Sequence, residues 1–285
     1  MKLNNKIALV TGGSGTIGKV IARALLEEGC QLILVGRSQA SLEATRQELS
    51  SATDLPIEIY PADVGDAGAV QNLMCYLGEK FPRLDILVTA AGVYGEIGTI
   101  EQCDPASWMS ALRSNLFGTF LSLKYALPLL RKSSAAKVIT FAGGGEGALP
   151  NFSSYVSSKG AVLRFTETAA AEFKKYNISV NAISPGLVAS GLTQQLIDAG
   201  VEKSGKQKYD EALDQLAGKG NTVSPEKAAA LAVFLASEES DGLTGKNISA
   251  VWDNWQEIPK HIKEIKESDV YSWRRIKPKD RGYDW

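Results

Sequence analysis

Residues 141–160, FAGGGEGALPNFSSYVSSKG, set Tyr155 and Lys159 four positions apart. On a helix that spacing stacks a phenol and an ammonium on one face, one turn apart, which is half of a catalytic site. The other half is nearly bare of reactive side chains, with Ala142 followed by Gly143, Gly144 and Gly145. A second stretch, VTGGSGTIGKV (10–20), carries its chemistry in the backbone. Gly12, Gly15 and Gly18 permit a tight turn and a close approach to a pyrophosphate. A helix starting beyond them offers free N–H groups and a partial positive charge.

Both stretches need a scaffold that brings them together. Short β-rich runs at 6–12, 31–36, 56–64, 85–92, 136–143, 178–186 and 247–252 alternate with helical patterns at 16–29, 41–50, 67–80, 105–131, 155–176 and 225–238. The alternation predicts an α/β fold, a doubly wound parallel sheet of seven strands with helices on both faces. Ligands of such sheets bind at the carboxyl ends of strands, where both stretches lie. A carboxylate at the end of the second strand would bind the ribose of NAD, but Gly36 and Arg37 stand there. A guanidinium suits the 2′-phosphate of NADP, although an arginine at a strand end is also ordinary surface chemistry. Asp63, ending the third strand, reads either as an acceptor for an adenine amino group or as the N-cap of the next helix.

Residues 1–252 read as one domain, in which 187–224 are polar, glycine-dotted and weakly helical, either a substrate loop or a surface insertion. Residues 253–285 form a C-terminal extension. Four of the five tryptophans fall in the last 34 residues, which predicts packing on the body or on a neighbouring subunit. The chain has 31 Lys+Arg against 32 Asp+Glu, a balance with no general attraction for nucleic acid or anionic lipid. Cys30, Cys75 and Cys103 form no CxxC pair and read as reduced thiols. His261, the one histidine, cannot build a zinc site with them or serve a Ser-His-Asp triad from a charged tail, so no metal is expected. No apolar run reaches membrane-spanning length, and the N-terminal one is too short for a signal peptide. A cytoplasmic protein acting on a small molecule is expected.

The motifs TGGSGTIG, ADV, AAG, SNLFGTF, YVSSK and ISPG occur in the order and spacing of the short-chain dehydrogenase/reductase family, which the chain resembles over roughly residues 5–252. The resemblance implies one Rossmann-type domain, a nicotinamide cofactor and a homodimer or homotetramer; Arg37 favours NADP(H) over NAD(H). It implies that Tyr155 exchanges a proton with the substrate oxygen while hydride moves to or from the nicotinamide, interconverting a secondary alcohol and a ketone. A phenol acts as a base near neutral pH only if its pKa falls by about 3, roughly 4 kcal/mol. Lys159 supplies a cation for that purpose and would bond the nicotinamide ribose. Asn115 matches an asparagine that holds a relay water. Cofactor contacts carry over to Gly12, Ser14, Gly15, Thr16, Ile17 and Gly18, to Arg37 and Ser38, and to Asp63 and Val64. They also carry over to Ala91 and Gly92, and to Pro185, Gly186 and Val188. Ser190 replaces a threonine that often touches the carboxamide side.

Three departures stand out. Thr16 takes the place of a common glycine, and VTAAG replaces the usual NNAG, putting Thr89 and Ala90 where two asparagines stand. The third bears on catalysis, because relatives carry a serine whose hydroxyl polarises the substrate carbonyl, and here that position is Ala142. Thr140 faces the same side of the strand but deeper, and Ser153 and Ser154 lie close to Tyr155. Backbone N–H groups of Gly143 to Gly145, or a group on the substrate, replace the hydroxyl in one reading, with Ala142, Gly143 and Gly144 facing substrate. In the others, the alanine is an engineered change, or activity has been lost. Losing one such donor costs about 10² to 10³ in kcat against an acceleration of 10⁶ or more, which favours an enzyme. The polar 187–224 segment and the aromatic tail point to a sugar or nucleotide-sugar substrate. The alternatives are a catalytically silent NADP-binding subunit and an epimerase or lyase working through transient oxidation.

Overall fold

The computed structural model describes all residues except Ala52, Asp54, Gly145 and Glu146. The sheet consists of β1 (Ile7–Thr11), β2 (Gln31–Gly36), β3 (Ile57–Pro61), β4 (Ile86–Thr89), β5 (Lys137–Phe141), β6 (Ser179–Ser184) and β7 (Asn247–Ser249). Their order is β3-β2-β1-β4-β5-β6-β7, and every adjacent pair is parallel. The seven-stranded doubly wound α/β sheet expected from the alternation is the one observed.

Strand residues alternate between two cores, as the period of two requires. Ala8, Val10, Leu32, Leu34 and Val88 face α1 (Thr16–Glu27), α2 (Gln39–Ser50) and α9 (Pro225–Ala236). Ile7, Leu9, Ile33, Val35 and Leu87 face α3 (Ala67–Lys80), α5 (Gly118–Leu130) and α6 (Ser153–Phe173). Strands buried on both sides are therefore apolar throughout, which is why the sequence showed them as continuous runs. Between β1 and β4 the strand order reverses, and a crevice opens there at the carboxyl ends.

Several boundaries differ from the sequence expectation for local reasons. The long helix expected at 105–131 is α4 (Pro105–Ala111), a π-helical turn (Leu112–Phe117) and α5. Strand β7 ends early because Ser249 Oγ accepts from the backbone N–H groups of Val251 and Trp252 and turns the chain. The weakly helical 187–224 holds two helices, α7 (Gly191–Ser204) and α8 (Lys206–Leu216). Helix α7 is started by a capping box in which Ser190 and Thr193 satisfy each other's backbone N–H groups. In the C-terminal extension, α10 (Ile258–Lys266) buries Ile258 and Ile265 in the first core, and Trp255 packs on Phe234. Lys246 Nζ donates to the carbonyls of Ser268 and Val270, and Asn247 N–H to that of Tyr271.

Candidate active site

The crevice is a cleft of about 550 Å³. One wall is the β1–α1 turn, contributing Gly12, Gly15, Thr16, Ile17 and Gly18. A Cβ on Gly18 would lie 2.1 Å from the Gly12 carbonyl oxygen, so only glycine lets the turn close this tightly. Helices α2, α3, α4, α7 and α9 each begin with a side chain accepting a first-turn N–H. At α1 the N-cap is Gly15 and no side chain does so. The one of these helices that opens on the glycine wall keeps its N–H groups for a ligand, and such a terminus suits a pyrophosphate. The residues present therefore fit a dinucleotide.

The opposite wall is α6 with the turn after β5. Tyr155 and Lys159 both face the cleft, as their spacing predicts. Lys159 is buried, and its Nζ donates to the carbonyl of Phe141 at 2.9 Å. Burial lowers its pKa to about 8. The Tyr155 phenol is pushed above its ordinary value by burial and, secondarily, by the Tyr94 phenol beside it. The expected lowering of Tyr155 by Lys159 is thus absent from this arrangement. The ammonium points at a backbone carbonyl, 5.9 Å from the tyrosine ring centre, and desolvation acts against both charged forms.

Asn115 sits behind the pair rather than on the cleft wall, 1% exposed in the π-helical turn. Its Oδ1 accepts from Val93 N–H at 2.9 Å, and its Nδ2 donates to the Val93 carbonyl and to Ser158 Oγ. The amide thereby ties the loop after β4 to α6. A Cβ on Gly92 would lie 3.3 Å from Asn115 Oδ1 and 3.6 Å from Lys159 Nζ, which brings the asparagine and the lysine to one spot.

Other candidates spread along the same strand ends. Pro185, Gly186, Val188 and Ser190 line the cleft, while Ala91 lies against the Gly12 turn. Ser14 approaches Gly36 at the end of β2, and Arg37 next to it is exposed, with no ion pair among the described residues. Ser38 caps α2. Asp63 is not an N-cap: Asp66 caps α3, and Asp63 Oδ1 accepts from Gly65 N–H. Val64 packs against Gly118. Arg37, Ser38, Asp63 and Val64 lie outside the main cleft, toward the β2 and β3 ends.

Ala142 does not line the cleft. It is 0% exposed, and its methyl packs with Leu163 and Ala182. Gly143 and Gly144 do line it, and Gly145 lies outside the described residues. Thr140 is buried and bonded to Thr166. Ser153 Oγ accepts from the Trp108 indole N–H, and Ser154 Oγ donates to the Trp108 carbonyl, so neither serves the substrate side. Thr89 Oγ1, in the altered NNAG motif, is buried without a hydrogen-bond partner among the described residues.

Sequence reasoning missed Tyr94, Gln195, Lys208, Glu211, Gln215 and Trp252, all on the cleft. Tyr94 was findable, because it follows a strand-end motif by two residues. Lys208, Glu211 and Gln215 lie on α8, in the segment read as a weakly helical substrate loop or surface insertion. No residue beyond Trp252 lines the cleft, so the tail's aromatics do not reach it within one chain.

The family model described as Enoyl-(Acyl carrier protein) reductase matches residues 13–250. A D-beta-hydroxybutyrate dehydrogenase of Cupriavidus necator is 32% identical over 256 residues, 88% of this chain and 96% of that protein. An L-fucose dehydrogenase of Rattus norvegicus is 32% identical over 237 residues, 83% of this chain and 85% of the relative. Among solved structures, NAD+-bound xylitol dehydrogenase superposes with a TM-score of 0.79 at 26% identity, covering 87% of this chain and 98% of the other. With its parallel sheet, glycine turn and Tyr–Lys pair on one cleft, the chain belongs to the short-chain dehydrogenase/reductase family and is an oxidoreductase of alcohols and ketones.

Proposed function

We propose that the protein interconverts a secondary alcohol and a ketone on a polar, sugar-like substrate, with NADP(H) preferred over NAD(H). The observation that carries this is the Tyr155–Lys159 pair opening into the same cleft as the uncapped start of α1. When bound, the nicotinamide gives or takes the hydride. Tyr155 passes the proton to or from the substrate oxygen, Lys159 holds the ribose, and Asn115 sustains the water relay behind them. Residues Gly12 to Gly18 hold the pyrophosphate, Pro185, Gly186 and Val188 cover the nicotinamide, and Asp63 and Val64 border the adenine. Arg37, exposed at the end of β2 and without an ion pair among the described residues, supports a 2′-phosphate contact, since a guanidinium can bind phosphate bidentately.

For the substrate, α7 and α8 supply Gln195, Gln215 and the Lys208–Glu211 pair, 2.6 Å apart, to the cleft. Trp252 stands at its rim, 82% exposed, with a free indole face fit to stack on a sugar ring. Segment 187–224 thus acts as the substrate-covering part of the 1–252 domain. The exposed Phe117 and Phe120, stacked on one another with Phe120 edge-on to Phe165, support assembly into a homodimer or homotetramer through the π-helical turn, α5 and α6. No described helix is long and apolar enough to cross a membrane, and we place the enzyme in the cytoplasm.

Fluorescence titration with NADPH and NADH, followed by assay of xylitol, L-fucose and D-3-hydroxybutyrate with both oxidised cofactors, tests the reading. Arg37→Ala should erase the NADPH preference and leave NADH binding intact. Tight NADPH binding without turnover across a broad panel of sugars and ketones would sink the oxidoreductase assignment of this cleft.

A further inference from the structure

The family resemblance places a polarising serine at position 142, where this chain has a buried alanine, and among the described residues the cleft holds a tyrosine hydroxyl beside Tyr155 without a hydrogen-bond partner. Among the hydroxyl-bearing residues lining it, Ser184 bonds Asn247, and Ser190 caps α7. Thr193 bonds Gln215, Ser249 holds the turn before Trp252, and Thr16 stands at the phosphate end. That leaves Tyr94 beside Tyr155. Its ring meets that of Tyr155 edge-on at 4.7 Å between centres and that of Phe152 at 5.2 Å. Its backbone N–H donates to Gln195 Oε1 at 3.0 Å. The side chain is thus fixed by two rings and its backbone by α7, yet among the described residues its hydroxyl has no hydrogen-bond partner. Burial raises the Tyr94 pKa, so the phenol keeps its proton and remains a donor at neutral pH.

We propose that the Tyr94 hydroxyl is a second catalytic group, donating to the substrate oxygen the hydrogen bond that Ala142 cannot. This rests on Tyr155 being the acid/base. In the reducing direction the carbonyl carbon takes a hydride from a reduced nicotinamide and the C=O π pair moves to oxygen. That oxygen takes the Tyr155 proton and becomes the alcohol hydroxyl. Tyr94 keeps its own proton throughout and stabilises the charge that develops on oxygen. Two phenols, one transferring and one polarising, then do what a phenol and a serine do in relatives.

The test compares wild type, Tyr94→Phe and Tyr155→Phe on xylitol, L-fucose and D-3-hydroxybutyrate with NADP+ and NAD+, together with Tm and NADPH affinity by fluorescence. Tyr94→Phe keeps the ring and should lower kcat by about 10² to 10³. KM, NADPH affinity and Tm should stay unchanged, a split that a packing role would not produce. If Tyr94→Phe keeps wild-type kcat while Tyr155→Phe is dead, the second donor is elsewhere, in the Gly143–Gly144 backbone, and the inference falls while the assignment of Tyr155 stands. A fall in Tm or a rise in KM at unchanged kcat also overturns it. A Tyr155→Phe variant that still turns over overturns both readings.

Discussion

Lys159 offers a measurement of how strongly the cleft penalises charge. Its pKa is lowered by burial from 10.5 to about 8, so the folded state binds this proton less well than the unfolded chain does. Below pH 8 the lysine is charged in both states, and the fold carries the full penalty of about 3 kcal/mol. Between pH 8 and 10.5 the unfolded chain holds more protons, so stability rises with pH, and above 10.5 the penalty is gone. From pH 7 to 9 the lysine therefore adds about 1.3 kcal/mol to the unfolding free energy. Other groups move over the same interval; Cys30, pushed up to about 12 by burial, costs the fold stability as the unfolded thiol ionises. The comparison is therefore a double difference: urea unfolding of wild type and Lys159→Met at pH 7 and pH 9, at one protein concentration. The part of the bond to the Phe141 carbonyl that ammonium and amine share cancels between the two pH values, and the part that differs is already contained in the folded pKa. Wild type should gain about 1.3 kcal/mol more than the variant between the two pH values. Equal gains would refute the claim that Lys159 is a charge held against desolvation, and with it the account of why Tyr155 is not lowered.

Thr89→Val removes a buried hydroxyl that has no hydrogen-bond partner among the described residues and should raise stability by about 1 kcal/mol in urea unfolding. Gly144→Ala places a methyl 2.6 Å from the Tyr155 ring at a φ of +89°, so kcat should fall tenfold or more along with stability. Because burial holds the Tyr155 phenol above its ordinary value, the 295 nm absorbance difference between wild type and Tyr155→Phe should show no phenolate below about pH 10. A phenolate appearing near pH 7 would mean that Lys159 reorients toward the tyrosine.

The fold was legible because the central strands are buried on both faces and most helices on one. That requirement writes continuous apolar runs against amphipathic ones, most plainly at β1, β4 and β5, while the edge strands β3 and β7 are only partly buried. What the pattern hides is set by single side chains acting on local backbone. Ser190 and Thr193 start α7 in a stretch whose composition looks like loop. Ser249 ends β7 after three residues. Asp66 rather than Asp63 starts α3, a difference of one helical turn that periodicity cannot resolve. The break of 105–131 into a π-helical turn has no hydrophobic signature, yet it carries Asn115 to Val93 and Ser158.

At the site, the positions fixed by spacing along one element were readable, and those fixed by packing between elements were not. Tyr155 and Lys159 share a helix face, so four residues of separation determine their relation. Tyr94 follows the AAG strand-end motif closely enough to be placed near the cleft, but its ring contact with Tyr155 comes from packing between elements that no local pattern records. Ala142 looked in the sequence like a bare absence, a hydroxyl missing from a fixed place. In the fold its methyl belongs to a small core with Leu163 and Ala182, and the turn after it brings Gly144 so close to the Tyr155 ring that a Cβ there would lie 2.6 Å from it. A glycine there lets the backbone approach the phenol ring closely, and Tyr94, itself packed on Phe152, meets the same ring edge-on. That enclosure raises the Tyr155 pKa and also brings a second phenol within its reach. The alanine at 142 and the gathered aromatics fit one arrangement in which, on the proposal made above, the polarising group is the hydroxyl of the ring beside the acid rather than one at the strand end.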